Sequence, residues 1–448
     1  MSFRSSCFST LIAARQRSGK KEQTGESMKY AIVIGDGIAD NPVPELGDKT
    51  PLAFAEIPVM DTLAKKGVVG SVRTVPTGVP AGSDTAILSI FGYDPRIYYS
   101  GRSPLEAAGS GVRLEGGDVS YRCNMVAYED AEKPWREKKL LSHNGGSIDG
   151  ESSIALMREL LADDSFQECA ARHKMSFTPN PSFRHIAVQK KADIGNLTTT
   201  PPHDHLGEIV GDLLPGGNPA AEGLVEMMEF AHTILDKRPI NAARRAQGKP
   251  AANGIWFWAQ GTAIALPEFR IKYAKDGFVM SAVPLTWGIG ALAGLRYTTV
   301  PGATGELDTD FEGKTDGVID GLAGGADFAV IHIEAPDECT HNGDTKGKLQ
   351  AIEWLDSRCL ARMIDGLDNI GEPYRLLILS DHKTLTSTRA HDPDPVPFIL
   401  YDSRKTEGCG LPYSEVSGNA GPFIEEGWQL IEYLFEMREF EMCSSPWV

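Results

Sequence analysis

The sequence predicts an α/β protein built on a buried, mostly parallel sheet, and two observations carry that prediction. Three continuous apolar runs, Tyr30 to Gly35, Phe328 to Ile333 and Arg375 to Leu379, each break into turn residues, as strands covered on both faces do. Other stretches place apolar residues at helical spacing, so strands and helices alternate along the chain.

Taken in order, the first run ends at Asp36. From Val79 to Tyr93 a Pro/Gly turn passes directly into an apolar helical pattern, with Ser83 at or next to the helix start. Two readings apply to that serine. It caps the helix, or it is a nucleophile, because free N–H groups and the positive end of the helix dipole favour an alkoxide and an incoming phosphate there. Leu224 to Asp236 has helical spacing, and His232 within it reads as a core or surface residue. The second run leads to Asp337, with His341 four residues on; Leu349 to Gly366 reads as an amphipathic helix; the third run delivers Asp381 and His382, with His391 soon after.

In an open α/β sheet, functional groups gather beyond the carboxyl ends of the strands. That groups Asp36, Asp337 and Asp381. One aspartate at a strand end is more often a turn former or cap, but three of the ten histidines, His341, His382 and His391, fall in the same short C-terminal stretch. Mixed carboxylate and imidazole donors suit Zn, Mn, Co or Mg, whereas a thiolate site needs clustered cysteines, and the seven here are scattered. A serine hydroxyl is a weak nucleophile until a base or metal lowers its pKa, which a metal held by Asp36, Asp381 and His382 would do for Ser83.

Composition narrows the partners. A net charge of -17 disfavours nucleic acid and anionic membrane surfaces, where Lys and Arg supply the affinity. No apolar run reaches transmembrane length, and the pattern carries no signal for an oligomeric state. Dispersed cysteines, odd in number, point to a reducing compartment, here the cytoplasm. Residues 1–27 have Arg, Ser and no acidic residue before Lys21, a transit-peptide composition that would allow organellar import. The alternative is a disordered extension ahead of a domain beginning at Met28.

Seven stretches in order, Gly35-Asp-Gly-Ile-Ala-Asp40, Pro80-Ala-Gly-Ser-Asp-Thr-Ala86, Tyr99 to Ala107, Thr200-Pro-Pro-His-Asp204, Val300 to Gly305, Glu334-Ala-Pro-Asp-Glu338 and His391 to Pro397, resemble the archaeal-type cofactor-independent phosphoglycerate mutases of the alkaline phosphatase superfamily. The resemblance implies an alkaline-phosphatase-like sheet flanked by helices and two divalent metal ions, Mn, Co, Mg or Zn. One ion would be held by Asp36, Ser83, Asp381 and His382, the other by Asp337, His341 and His391. Ser83 would carry the phosphoryl group while 2- and 3-phosphoglycerate, small phosphorylated hydroxy acids of glycolysis and gluconeogenesis, interconvert without a bisphosphate primer.

Such a mutase must exclude water while its phosphoenzyme waits, which calls for a closing cap. Residues 111–268 have room for one as a smaller α/β insertion between 28–110 and 269–448, with hinges near Gly109 to Val112 and near Pro267. Arg102 and Arg184 are candidates for bidentate grip on phosphate or carboxylate; His143, His203 and Asp204, in Gly/Pro/Asn-rich turns, are further substrate-binding candidates. The chain departs from the family pattern at Lys383 and Leu385 in Asp381-His-Lys-Thr-Leu385, at Trp287, and in Trp258-Ala-Gln-Gly261. These positions bear on substrate. They keep open a phosphotransferase or phosphatase acting on another small alcohol such as homoserine phosphate, and an inactive metal-binding relative. A cap face rich in Lys, Arg and His beside Ser83 would favour a phosphorylated acid; an acidic or open face would favour another acceptor.

Overall fold

The computed structural model describes residues 27–440; the segment of transit-peptide composition, apart from its final residue, lies outside them. The strands among the described residues are, in chain order, β1 (Lys29–Gly35), β2 (Val68–Val72), β3 (Val119–Tyr128), β4 (Leu140–Ser142), β5 (Met175–Thr178), β6 (Arg184–Gln189), β7 (Gly254–Thr262) and β8 (Gly277–Met280). There follow β9 (Arg296–Thr298), β10 (Phe328–Ile333), β11 (Tyr374–Leu379), β12 (Lys383–Leu385), β13 (Ala390–Asp392), β14 (Val396–Asp402) and β15 (Phe423–Ile424).

Eight of them form one sheet in the order β15-β2-β14-β11-β1-β10-β8-β9. β1 lies at its centre, parallel to β10 with Tyr30 opposite Phe328, and parallel to β11 with Lys29 opposite Tyr374. Only β14 runs against its neighbours, β11 and β2. The apolar runs follow from this position. Ala31 and Val33 pack into a core on one face, with the helices Phe311–Ala323 and Ala361–Ile370. Ile32 and Ile34 pack into a second core on the other, with the helices Ser83–Ile90 and Pro284–Leu292.

The stretch between Gly111 and Glu268 carries a second sheet built from β3 to β7, with β3 paired to β4, β6 and β7. Every pairing in it is antiparallel. Helices Gly150–Leu161, Asp164–Arg172 and Ala220–Leu235 cover one face, where Val119, Tyr121, Cys123 and Met125 point. The period of two along β3 sends Ser120, Arg122 and Asn124 to the opposite face, and they are buried as well. His232 belongs to the helical layer: it is buried, and its Nδ1 lies 2.8 Å from the Asn253 carbonyl.

Helix Arg102–Gly109 joins the two units, packing on helix Pro284–Leu292 on one side and on β3 and β7 on the other. The two helices touch backbone to backbone: a Cβ at Gly288 would lie 1.7 Å from the Leu105 carbonyl oxygen. The amphipathic stretch around 349–366 is helix Thr345–Trp354 running through a π-helical segment, Leu355–Leu360, into Ala361–Ile370. In that segment Asp356 accepts the free N–H groups of Val59 and Met60 at 3.1 and 2.7 Å, capping helix Pro58–Lys66. Among the described residues no helix is long and apolar enough to cross a membrane.

Candidate active site

Because β1, β10 and β11 are adjacent and parallel, their carboxyl ends open on one edge of the sheet, and Asp36, Asp337 and the pair Asp381–His382 follow them there. Asp337 and His341 lie one turn apart on helix Ala335–His341. His391 is delivered by the β12/β13 hairpin, opposite Thr384. Ser83 is the first residue of its helix, but the N-cap is Gly82 and the serine does not cap. Its Oγ lies 3.2 Å from His382 Nε2 instead.

The donors converge closely. His382 Nε2 is 3.2 Å from Asp381 Oδ2 and 3.7 Å from Asp36 Oδ1. Asp337 lies 3.2 Å from His341 Nε2 through one oxygen and 3.4 Å from His391 Nε2 through the other. The two imidazole Nε2 atoms are 2.9 Å apart. Two groups of donors, Asp337/His341/His391 and Asp36/Asp337/His382, have atoms within 4.8 Å of one another, so Asp337 stands between them.

These residues fit a divalent cation on their own chemistry. Asp36 Oδ1 and Asp381 Oδ2 are buried, yet no described residue donates a hydrogen bond to either; an acceptor in that condition is costly unless a cation meets it. Burial, with the charges of Asp381 and Asp337 adding, pushes the Asp36 carboxyl well above its ordinary range. Burial acts upward on Asp337 as well, but hydrogen bonds from His341 and His391 outweigh it and hold that carboxyl low. His341 Nδ1 donates to the Arg389 carbonyl at 2.8 Å, which leaves Nε2 as the donor atom facing the cluster. Gly37, with φ of +63°, is demanded by the same crowding: a Cβ would lie 2.4 Å from Thr384 Oγ1 and 3.0 Å from Asp337 Oδ1.

A supporting layer surrounds the donors. His332 Nε2 lies 3.0 Å from Asp36 Oδ2, and its Nδ1 is 3.3 Å from Glu334, which accepts from Lys314 at 2.6 Å and Ser281 at 2.8 Å. Burial depresses the His332 imidazole, but Glu334 and Asp36 outweigh it and raise it to about 10. Thr384 donates to Asp337 at 2.6 Å, and the buried Lys348 binds both Asp40 and the Thr384 carbonyl. Reading the sequence for strand ends misses all of these. His332 had one signal, a lone polar residue inside an apolar run.

On the buried polar face of the second sheet, Arg102 and Arg122 both donate to Glu106, at 3.2 Å for Arg102 Nε and 2.7 Å for Arg122 Nε. Arg184 lies beside them, its Nε shut off from water with no described partner, and burial together with the Arg122 charge pushes its guanidinium down to about 9. Arg122 stacks on Trp258 at 4.6 Å, His203 sits 5.2 Å from the same ring, and His143 is 6.0 Å from His203. Arg102, Arg184, His143 and His203 therefore gather in one cluster, to which the structure adds Arg122. Asp204 is different: its side chain is 61% exposed and, among the described residues, pairs with His203 alone, at 3.6 Å. Tyr99, three residues ahead of Arg102, donates a hydrogen bond to Asp84, the residue after Ser83, and so ties this region to the serine helix.

The departures lie around this site. Trp287 donates to the Ser281 carbonyl at 2.9 Å and stacks on Tyr297. Lys383, its side chain 12% exposed, lies 3.0 Å from Asn41 Oδ1 and 3.5 Å from Asp394.

Comparison with known proteins agrees over most of the chain. Residues 64–241 match the family described as 2,3-bisphosphoglycerate-independent phosphoglycerate mutase. The enzyme of that name from Methanosarcina barkeri is 42% identical over 380 residues, which are 85% of this chain and 92% of the relative. A solved protein from Pyrococcus horikoshii is 28% identical with a TM-score of 0.75, over 93% of this chain and all of that one (100%). The cofactor-independent phosphoglycerate mutase of Thermoplasma acidophilum shares the fold, at 23% identity and a TM-score of 0.58 over 92% and 99% of the two chains. Identity at this level, sustained over nearly the full length of both chains, means that this chain belongs to the 2,3-bisphosphoglycerate-independent phosphoglycerate mutases.

Proposed function

We propose that this chain interconverts 2-phosphoglycerate and 3-phosphoglycerate through a phosphoserine at Ser83, in glycolysis and gluconeogenesis in the cytoplasm. One observation carries the choice of substrate. Arg102 of the joining helix, Arg122 and Arg184 of the second sheet, and His143 and His203 of its loops gather into one basic cluster, with Glu106 as the acid between arginines. Three guanidiniums around one carboxylate leave the cluster a net positive charge, which suits a phosphorylated acid.

Asp36, Ser83, Asp381 and His382 would hold one divalent ion and Asp337, His341 and His391 a second, of Mn, Co, Mg or Zn. Such ions, when bound, would supply a lowered pKa at the serine hydroxyl and neutralisation of charge on the phosphoryl oxygens. The helix start at Ser83 presents free N–H groups to the arriving phosphate. Ser83 Oγ bonds to phosphorus as the substrate's P–O bond breaks, leaving glycerate with two free hydroxyls. The arginines keep the glycerate carboxylate in place while it reorients. The neighbouring hydroxyl then takes the phosphoryl group and restores the serine. Residues 111–268 act as the cap that keeps water from the phosphoserine, moving about the flanking segments near Gly109 to Val112 and near Pro267.

The test is purified protein with 3-phosphoglycerate and each metal in turn, following 2-phosphoglycerate and free phosphate together. Isomer formation without bisphosphate, abolished in Ser83→Ala, is expected. Free phosphate as the sole product would overturn the mutase reading.

A further inference from the structure

The helical layer of the second sheet contains a separate donor cluster. Cys169 and His173 are four residues apart, where helix Asp164–Arg172 ends, so they share a face. Glu226 comes from helix Ala220–Leu235, packed against it. The sulfur, an imidazole nitrogen and a carboxylate oxygen all lie within 4.8 Å of one another. This is the side of the sheet to which Cys123 points, opposite the arginine cluster, and it shares no residue with the site beside Ser83.

We propose that Cys169, His173 and Glu226 bind a divalent metal ion of Zn or Co type, clamping two helices of the inserted unit. Sulfur, nitrogen and oxygen donors in this combination select such borderline ions, and three protein ligands leave one position to water. The plain alternative is an ion pair, since His173 Nε2 is 2.7 Å from Glu226 Oε2 and Arg172 donates to Glu226 Oε1. Two features exceed what an ion pair needs. Cys169, only 1% exposed, brings its sulfur to the same point. A slot in the facing helix also admits the imidazole, because position 223 is glycine and a Cβ there would lie 2.5 Å from His173 Nδ1. Arg172 then acts as a partner that orients the ligand carboxylate through its other oxygen. The Glu226 side chain is 47% exposed, which opens the cluster to solvent and to an arriving ion. On binding, the metal–sulfur bond replaces the Cys169 S–H bond and the proton leaves to solvent.

The full-length protein is loaded with Co²⁺ and read by near-ultraviolet absorption and by metal content. The donors beside Ser83 are oxygen and nitrogen, so a thiolate-to-cobalt charge-transfer band reports a cysteine ligand alone. The expected result is a band that Cys169→Ser removes, with bound metal falling by about one ion per chain, while Cys339→Ser keeps both. His173→Ala and the exposed substitution Glu226→Ala lose the ion in the same way, and serve if the serine variant does not fold. Absence of a band in the parent protein, or a band and metal content unchanged in the Cys169 and Glu226 variants, would overturn the assignment.

Discussion

Arg184 is held by its neighbours in a condition that an anion would relieve. Its Nε has no described partner, and the Arg122 charge stands beside it. Replacing it with methionine is expected to lower kcat/KM for 3-phosphoglycerate by about 100-fold, the worth of a charge-assisted bidentate contact, with stability equal to or slightly above the parent. Steady-state kinetics beside thermal denaturation would decide; equal kinetics would remove Arg184 from the substrate site. Glu106 is the counterpart. Burial acts to raise its carboxyl, but the charge and hydrogen bonds of Arg122 outweigh it and hold the group far below the carboxylate range. A carboxylate with a depressed folded pKa stabilises fully above its unfolded value, about 4.3, and loses that contribution as pH falls toward the folded one. Glu106→Gln should therefore cost on the order of 3 kcal/mol near neutral pH, with the gap to the parent narrowing below about pH 4. Urea unfolding across pH measures this, and a gap of constant size would contradict it.

At the scale of elements, the contact between helices Arg102–Gly109 and Pro284–Leu292 couples the serine sheet to the inserted unit. Its closeness rests on Gly288 against the Leu105 carbonyl. Gly288→Ala cannot be absorbed by a rotamer change, because the obstacle is backbone. The expected destabilisation is about 3 kcal/mol, the upper end for overpacking, read as a fall in Tm; a shift below one degree would mean the helices separate freely. The three central strands were legible from their apolar runs, since burial on both faces leaves its mark in every residue. β3 was less so, because its Val-Ser-Tyr-Arg-Cys-Asn-Met alternation reads as a half-exposed strand, while its polar face is in fact covered. The π-helical segment had no sequence mark, and the helix that its Asp356 caps lies nearly 300 residues earlier, beyond the reach of local periodicity.

For the whole molecule, the proposed cap action predicts a partition. Gly111, in the flanking segment, has φ of +75° and open space around its Cα. Gly111→Val strains that segment by roughly 1–2 kcal/mol without a clash. It is expected to raise the ratio of free phosphate to 2-phosphoglycerate, as an imperfectly closed cap admits water to the phosphoserine. Both products are measured in one assay, and an unchanged ratio would count against water exclusion by this unit.

Composition and periodicity were enough for the parallel sheet, and for Asp36, Asp337, Asp381, His382 and Ser83, because each follows a strand or opens a helix and such ends are encoded locally; His341 and His391 were marked by their closeness to those aspartates in the chain. The sequence also carried the membership that the comparisons establish. What surrounds those residues came from long-range packing. His332 meets Asp36 across 296 positions, Lys348 meets Asp40 across 308, and Arg122 finds Glu106 because two units close on one helix. Partners so distant leave no periodicity, and a buried charge reveals its counterion only when the chain has folded around both.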